Sequence, residues 1–216
     1  MSIPSVCIIS GKPKHGKSWL IKFFMYVHRE MYDYGIVMTK TKFDNGYDFI
    51  PSKYIHPDYD KEAITALMKI QADLVEKGIK KNAFIIFDDC LSKEFDSQLF
   101  TDLITQHRHY NITVIISTQY IYKINPTIRE CTNYAIIFRQ STDRSIQALY
   151  ESYGAHFKRE DDFKNYLMEH TGNYKFILVD VNSQSDDIKK IYKVLKAPSK
   201  IPEFKMKFNK QITNKK

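Results

Sequence analysis

Only three cysteines occur in the 216 residues, Cys7, Cys90 and Cys131, and they lie far apart. That spacing excludes a disulfide framework and a paired-thiolate metal centre, and it predicts reduced thiols in an intracellular setting. No run of about 18 apolar residues occurs, so no transmembrane helix is expected. A charged-then-apolar leader is also missing, because Met1-Ser2-Ile3-Pro4 runs almost directly into a short apolar segment. Internal repeats and low-complexity linkers are lacking as well. With 43% hydrophobic and 14% aromatic residues, the chain has the composition of a folded domain rather than of a disordered one.

The net charge of +8 is placed unevenly. From Asp187 to Lys216 there are ten lysines against two acids, which equals the whole excess. This predicts a domain over residues 1–184 and a lysine-rich C-terminal arm over 185–216.

Short apolar runs alternate with helical periodicity along the domain. Ile3–Ser10, Gly35–Thr39, Ala83–Phe87, Thr113–Ile116 and Tyr134–Phe138 read as buried strands, with Lys175–Val181 as an edge strand. Helices are expected over Lys17–Arg29, with Trp19, Leu20, Phe23, Phe24 and Val27 on its apolar face, and over Lys61–Lys77, 95–109 and Arg144–Tyr153. Lys40–Asp60, rich in Asp, Asn, Gly, Pro and Tyr, reads as a long surface connection. The expected class is α/β, a mainly parallel sheet covered by helices on both faces.

Between the first strand and the first helix stands Gly11-Lys12-Pro13-Lys14-His15-Gly16-Lys17-Ser18, the GxxxxGK[ST] pattern of a phosphate-binding loop. Glycine geometry there turns successive backbone N–H groups toward a phosphate at a helix N-terminus. Lys17 reaches the terminal phosphates and the Ser18 hydroxyl ligates Mg²⁺; the loop with Trp19 forms the nucleotide site. The ligands expected are therefore ATP and Mg²⁺.

Two further motifs assign chemistry. Phe84-Ile85-Ile86-Phe87-Asp88-Asp89 ends a strand on paired carboxylates. Asp88 suits the metal and Asp89 suits a general base that polarises the attacking water. Asp89 is one methylene shorter than the Glu more common at that place. Ser117-Thr118-Gln119 ends the fourth strand, where the Gln119 amide can sense the γ-phosphate. A strand inserted between the phosphate-loop strand and the Asp-Asp strand belongs to oligomeric motors. Such motors place an arginine from a neighbouring subunit at the γ-phosphate. Arg108 is the first candidate and Arg129 the second, ahead of Arg139 and Arg144.

Phosphate loop (Walker A), FIIFDD (Walker B), then Gln106-His107-Arg108-His109-Tyr110-Asn111-Ile112 leading into VIISTQ resembles the poxvirus-type genome-packaging ATPases of the FtsK–HerA superfamily. Relatives of these occur in other large DNA viruses, virophages and membrane-containing icosahedral viruses. Ile128–Asn133 followed by YAIIFR and the loop around Tyr47–Pro51 continue the likeness, which covers about Val6 to Tyr153. The resemblance implies a RecA/ASCE-like P-loop fold and an ATP-hydrolysing subunit that moves double-stranded DNA into a capsid. It implies a homo-oligomeric ring, a pentamer or hexamer, and a capsid-vertex or membrane-protein partner. The location implied is the host cytoplasm or the assembly site, or the virion itself. It carries over Gly11, Gly16, Lys17 and Ser18 for nucleotide, Asp88 for Mg²⁺, Asp89 as base, Gln119 as sensor and Arg108 as the trans-acting arginine. The lysine-rich arm is a candidate for sequence-blind DNA contact, and equally for a solubilising or docking role. The alternatives are a cellular translocase or helicase, a small-molecule kinase, and a nucleotide-binding structural component.

Overall fold

The computed structural model describes residues 1–40, 46–90, 95 and 97–208. The expected helix start at 95–96 and the last lysines at 209–216 lie wholly or partly outside these. Eight strands form one sheet in the order β3-β2-β4-β5-β1-β6-β7-β8. They are β1 (Val6–Ser10), β2 (Tyr34–Thr39), β3 (Ile55–His56), β4 (Ala83–Asp88), β5 (Ile112–Thr118), β6 (Tyr134–Ile137), β7 (Lys175–Asp180) and β8 (Tyr192–Lys196). The first six run parallel. The last two are antiparallel to their neighbours.

Because side chains alternate across a strand, each central strand feeds two cores. Ile85 and Phe87 of β4 point to one face with Val6 and Ile8 of β1, while Phe84 and Ile86 join Cys7 and Ile9 on the other. The first core is closed by α2 (Lys61–Glu76), α3 (Gln98–Gln106), α5 (Asp143–Tyr153) and α6 (Glu160–His170), with the short α4 (Pro126–Glu130) at its edge. Among these, α2, α3, α4 and α5 have starts fixed by short polar side chains: Asp60, Ser97, Asn125 and Thr142 accept from backbone N–H groups of their first turns.

Helix α1 (Lys17–His28) closes the second core through Leu20, Ile21 and Met25. This differs from the expected apolar face, since Trp19 and Val27 are exposed. The register is set at the helix start, where Lys17 must turn inward to the phosphate loop.

The stretch expected to be a surface connection contributes Tyr47, Phe49 and Ile50 to this core. Its polar average hides three inward-facing apolar side chains. The expected C-terminal arm likewise begins inside the domain. Residues after Asp187 form a helical turn, α7 (Ile188–Ile191), and then β8, which covers β7 and takes the edge position expected for that strand. Beyond it, Met206 is buried and its N–H donates to the Phe49 carbonyl at 2.8 Å, while Phe204 stacks on Phe49 with centroids 4.8 Å apart. Lys193 and Lys196 stand exposed on β8, an edge strand, where charge blocks pairing with another sheet. A charge count along the sequence cannot tell that pattern from a solvated tail.

Candidate nucleotide and metal site

The site gathers at the carboxyl ends of β1, β4 and β5, with β5 lying between the other two. Gly11 leaves β1 tied to β5 by its N–H, which donates to the Thr118 carbonyl at 3.1 Å. A Cβ on Gly11 would stand 2.7 Å from Phe138 Cβ, so only glycine lets the chain pass. Gly16, at φ 96, supplies the left-handed turn that opens α1.

Lys17 is buried, and its Nζ donates to the carbonyls of Gly11 at 2.9 Å and Lys12 at 3.2 Å. It also lies 3.7 Å from Asp89 Oδ2. The ammonium therefore bridges the loop and the candidate base.

Asp88 ends β4 buried. Its Oδ2 accepts from Ser18 Oγ at 2.8 Å and from Tyr47 Oη at 2.9 Å. Its Oδ1 is buried with no hydrogen-bond partner among the described residues. A buried, unsatisfied carboxylate oxygen beside a serine hydroxyl is costly unless something cationic meets it. The donor set, all hard oxygen, suits Mg²⁺. Burial, and then the Asp88 carboxylate beside it, push the Tyr47 phenol well above its ordinary range, so it stays a donor.

Asp89 follows in a left-handed backbone conformation, φ 50. Its N–H donates to the Ser117 carbonyl at 3.0 Å, and its Oδ2 accepts from Gln119 Nε2 at 2.9 Å. A non-glycine residue there is strained by about 1 kcal/mol or more, and strain kept at a site edge points to a placed side chain. The candidate base and the candidate sensor are thus joined directly.

His15 has a buried Nδ1 with no partner among the described residues. Its imidazole is held below the ordinary value by burial and then by Lys12 and Lys17, so it is neutral. The Trp19 ring turns away from the loop, donating its Nε1–H to the Pro198 carbonyl at 2.7 Å.

The arginines divide. Arg108 is exposed in the turn before β5, at the amino end of the parallel strands. The seven residues of β5 put it about 20 Å from its own phosphate loop. Arg129, expected as the second candidate, is buried, and its Nη1 donates to the Ala148 carbonyl and to Ser152 Oγ. It ties α4 to α5 within its own subunit and is not free to enter a neighbour's site. Arg139 is exposed beside the loop, and its Nη1 donates to the carbonyls of Met168 at 3.1 Å and Thr171 at 3.0 Å.

Sequence reasoning did not find the role of Tyr47 or the placement of Tyr174. The ring of Tyr174 lies against the phosphate loop, 3.3 Å from where a Cβ on Gly16 would stand. The signals for the first were an aromatic in an Asp-rich loop and the likeness around Tyr47–Pro51, and the second had none.

A sheet with β5 between the phosphate-loop strand and the Asp-Asp strand, and Lys17, Ser18, Asp88, Asp89 and Gln119 converging at its carboxyl edge, defines a P-loop nucleoside triphosphatase. Residues 40–175 match the family described as Zonular occludens toxin (Zot), a match that starts beyond the phosphate loop and includes Asp88, Asp89 and Gln119. The chain belongs to this Zot family.

It is similar to the uncharacterized protein 075L of Invertebrate iridescent virus 6, with 29% identity over 188 residues, 84% of this chain and 72% of that protein. Uncharacterized protein L437 of Acanthamoeba polyphaga mimivirus is 25% identical over 86% of this chain and 69% of its own length. Among solved structures, the genome packaging NTPase B204 of Sulfolobus turreted icosahedral virus 2, in complex with ATP-gammaS, has a TM-score of 0.66. It is 19% identical, covering 91% of this chain and 98% of B204. The pCW3 conjugation coupling protein TcpA gives a TM-score of 0.56 at 14% identity, over 82% of this chain and 57% of TcpA. The fold is therefore the one that the motif resemblance implied.

Proposed function

We propose that the protein is the ATP-hydrolysing subunit of a motor that moves double-stranded DNA into a viral capsid. The observation that carries this reading is Asp89, held between Lys17 and Gln119 at the edge of a sheet with an inserted strand. Lys17 and the loop N–H groups would bind the phosphates, and Asp89 would take the proton of the attacking water. Gln119, bonded to that base, would link the state of the nucleotide to β5 and the segments that follow it. Ser18 and Asp88 would hold Mg²⁺, whose charge would offset that of the phosphates. Relatives in large DNA viruses and the likeness to a packaging NTPase support the viral setting.

A ring of five or six subunits, with Arg108 completing a neighbour's site, follows from the same reading. So do a capsid-vertex or membrane partner and a location in the infected cell or virion. No helix of the described residues is long and apolar enough to cross a membrane. Any DNA contact would fall to exposed lysines, Lys189, Lys190 and Lys193 among them.

The test is the ATPase rate with and without double-stranded DNA. Strong stimulation by DNA, lost in Lys17→Ala and Asp89→Asn, is expected. Turnover that depends instead on a small phosphate acceptor would overturn the motor reading in favour of a kinase.

A further inference from the structure

We propose that the cavity between the phosphate loop and the turn before β7 is the nucleoside subsite, with the Tyr174 ring as the face on which the base stacks. This rests on the nucleotide-binding reading above and adds where the base and ribose go.

Sheet order gives the direction. Asp88, Asp89 and Gln119 come from β4 and β5, on one side of β1, so the terminal phosphate lies toward them. The rest of the nucleotide must then leave across the other side, over β6 and β7. A cavity of about 610 Å³ lies there, lined by Lys14, His15, Arg139, Glu169, Asn173 and Tyr174 among others. That volume falls within the usual range of small-molecule sites, about 300–1,000 Å³.

The turn has the marks of a placed element. Gly172, Asn173 and Tyr174 all have positive φ, 132, 49 and 62. Asn173 and Tyr174 are the central pair of a type I′ turn, closed by the Lys175 N–H donating to the Gly172 carbonyl at 2.8 Å, and the turn leaves Tyr174 58% exposed. Arg139 holds the turn by donating to the carbonyls of Met168 and Thr171 at the end of α6. Ala197 N–H donates to the Tyr174 carbonyl at 3.0 Å from the other side. The outcome is a large aromatic ring standing free beside Gly16, at one wall of the cavity.

His15 supplies a polar contact. Its Nδ1 is buried and lacks a hydrogen-bond partner among the described residues, while the Arg139 backbone acts on the ring as a hydrogen-bond acceptor, so one ring nitrogen is left to meet a base edge or a ribose hydroxyl. Aromatic stacking with a single hydrogen-bonding group is the usual economy of base recognition outside a duplex.

Equilibrium binding of Mg·ATP and of inorganic tripolyphosphate, measured by titration calorimetry on the full chain, separates the possibilities. Tyr174→Ala should weaken ATP by about tenfold or more, as expected for loss of one stacked base. It should leave tripolyphosphate within about twofold, and Tyr174→Phe should bind ATP like the parent. Unchanged ATP affinity in Tyr174→Ala would overturn the subsite, as would equal weakening of both ligands, which would mean that the ring only shapes the loop. A parent protein that binds tripolyphosphate as tightly as ATP would also overturn it, while leaving the phosphate site intact. A parent that binds neither would overturn the nucleotide reading itself.

Discussion

Gln119 Nε2 donates to Asp89 Oδ2 at 2.9 Å, across the boundary between β5 and β4. The bond makes the candidate base and sensor one unit, so each variant should report on the other. Asp89→Asn should lower ATP turnover by about 10²-fold or more while nucleotide binding persists. Gln119→Ala loses one hydrogen bond to a charged group, about 1.5–3 kcal/mol, and should slow turnover by about 10- to 100-fold. Steady-state ATPase assays of both singles and the double check this. Simple additivity of the two losses would argue against a coupled pair.

Tyr47 and Ser18 donate to the same oxygen of Asp88. Tyr47→Phe removes one of these donors without opening a cavity. It should cost about 1–3 kcal/mol of stability and raise the Mg²⁺ concentration needed for half-maximal ATPase severalfold. A Mg²⁺ titration of ATPase with a thermal melt alongside measures both. An unchanged Mg²⁺ requirement would reduce Tyr47 to packing.

Arg129 and Arg108 should fail in different ways. Arg129→Ala strips a buried guanidinium from Ala148 and Ser152, which should cost about 2–4 kcal/mol and lower Tm markedly. Arg108→Ala is exposed and should leave Tm nearly unchanged while lowering the ring's ATPase by about 10³-fold. Mixing Arg108→Ala with Lys17→Ala subunits should restore part of the activity, because hybrid interfaces contain one intact site. No recovery on mixing would count against a trans role.

His15, His28 and His107 all have imidazoles held below their ordinary value of 6.5, chiefly by burial. Between the folded and unfolded values the unfolded chain binds more protons, so stability rises with pH up to the unfolded value and is level above it. Tm should hold above about pH 7 and fall as the pH drops toward about 5.5. In His107→Gln that fall should be smaller. An equal fall would show that His107 does not contribute.

The phosphate loop, the Asp-Asp strand end and the Thr-Gln strand end were legible because each is a local signal. Each couples a few side chains at fixed spacing to an apolar strand that any parallel sheet would bury. The insertion of β5 was legible too, since motif order implies strand order in this fold. Arg129 misled because its burial comes from α5, some twenty residues on, which nothing beside it in the sequence marks.

What the sequence determined by itself was therefore the identity and spacing of the candidate groups for phosphate, cation and proton. Tertiary structure alone decided what surrounds them. It brought Tyr47 to Asp88 and Tyr174 to Gly16, and it folded the lysine-rich stretch into an edge strand and a strap over Phe49. The contacts of Tyr47, Tyr174 and Phe49 join residues 41 to 158 positions apart, with no periodicity or motif to mark them. They exist only because sheet order places the ends of distant strands side by side.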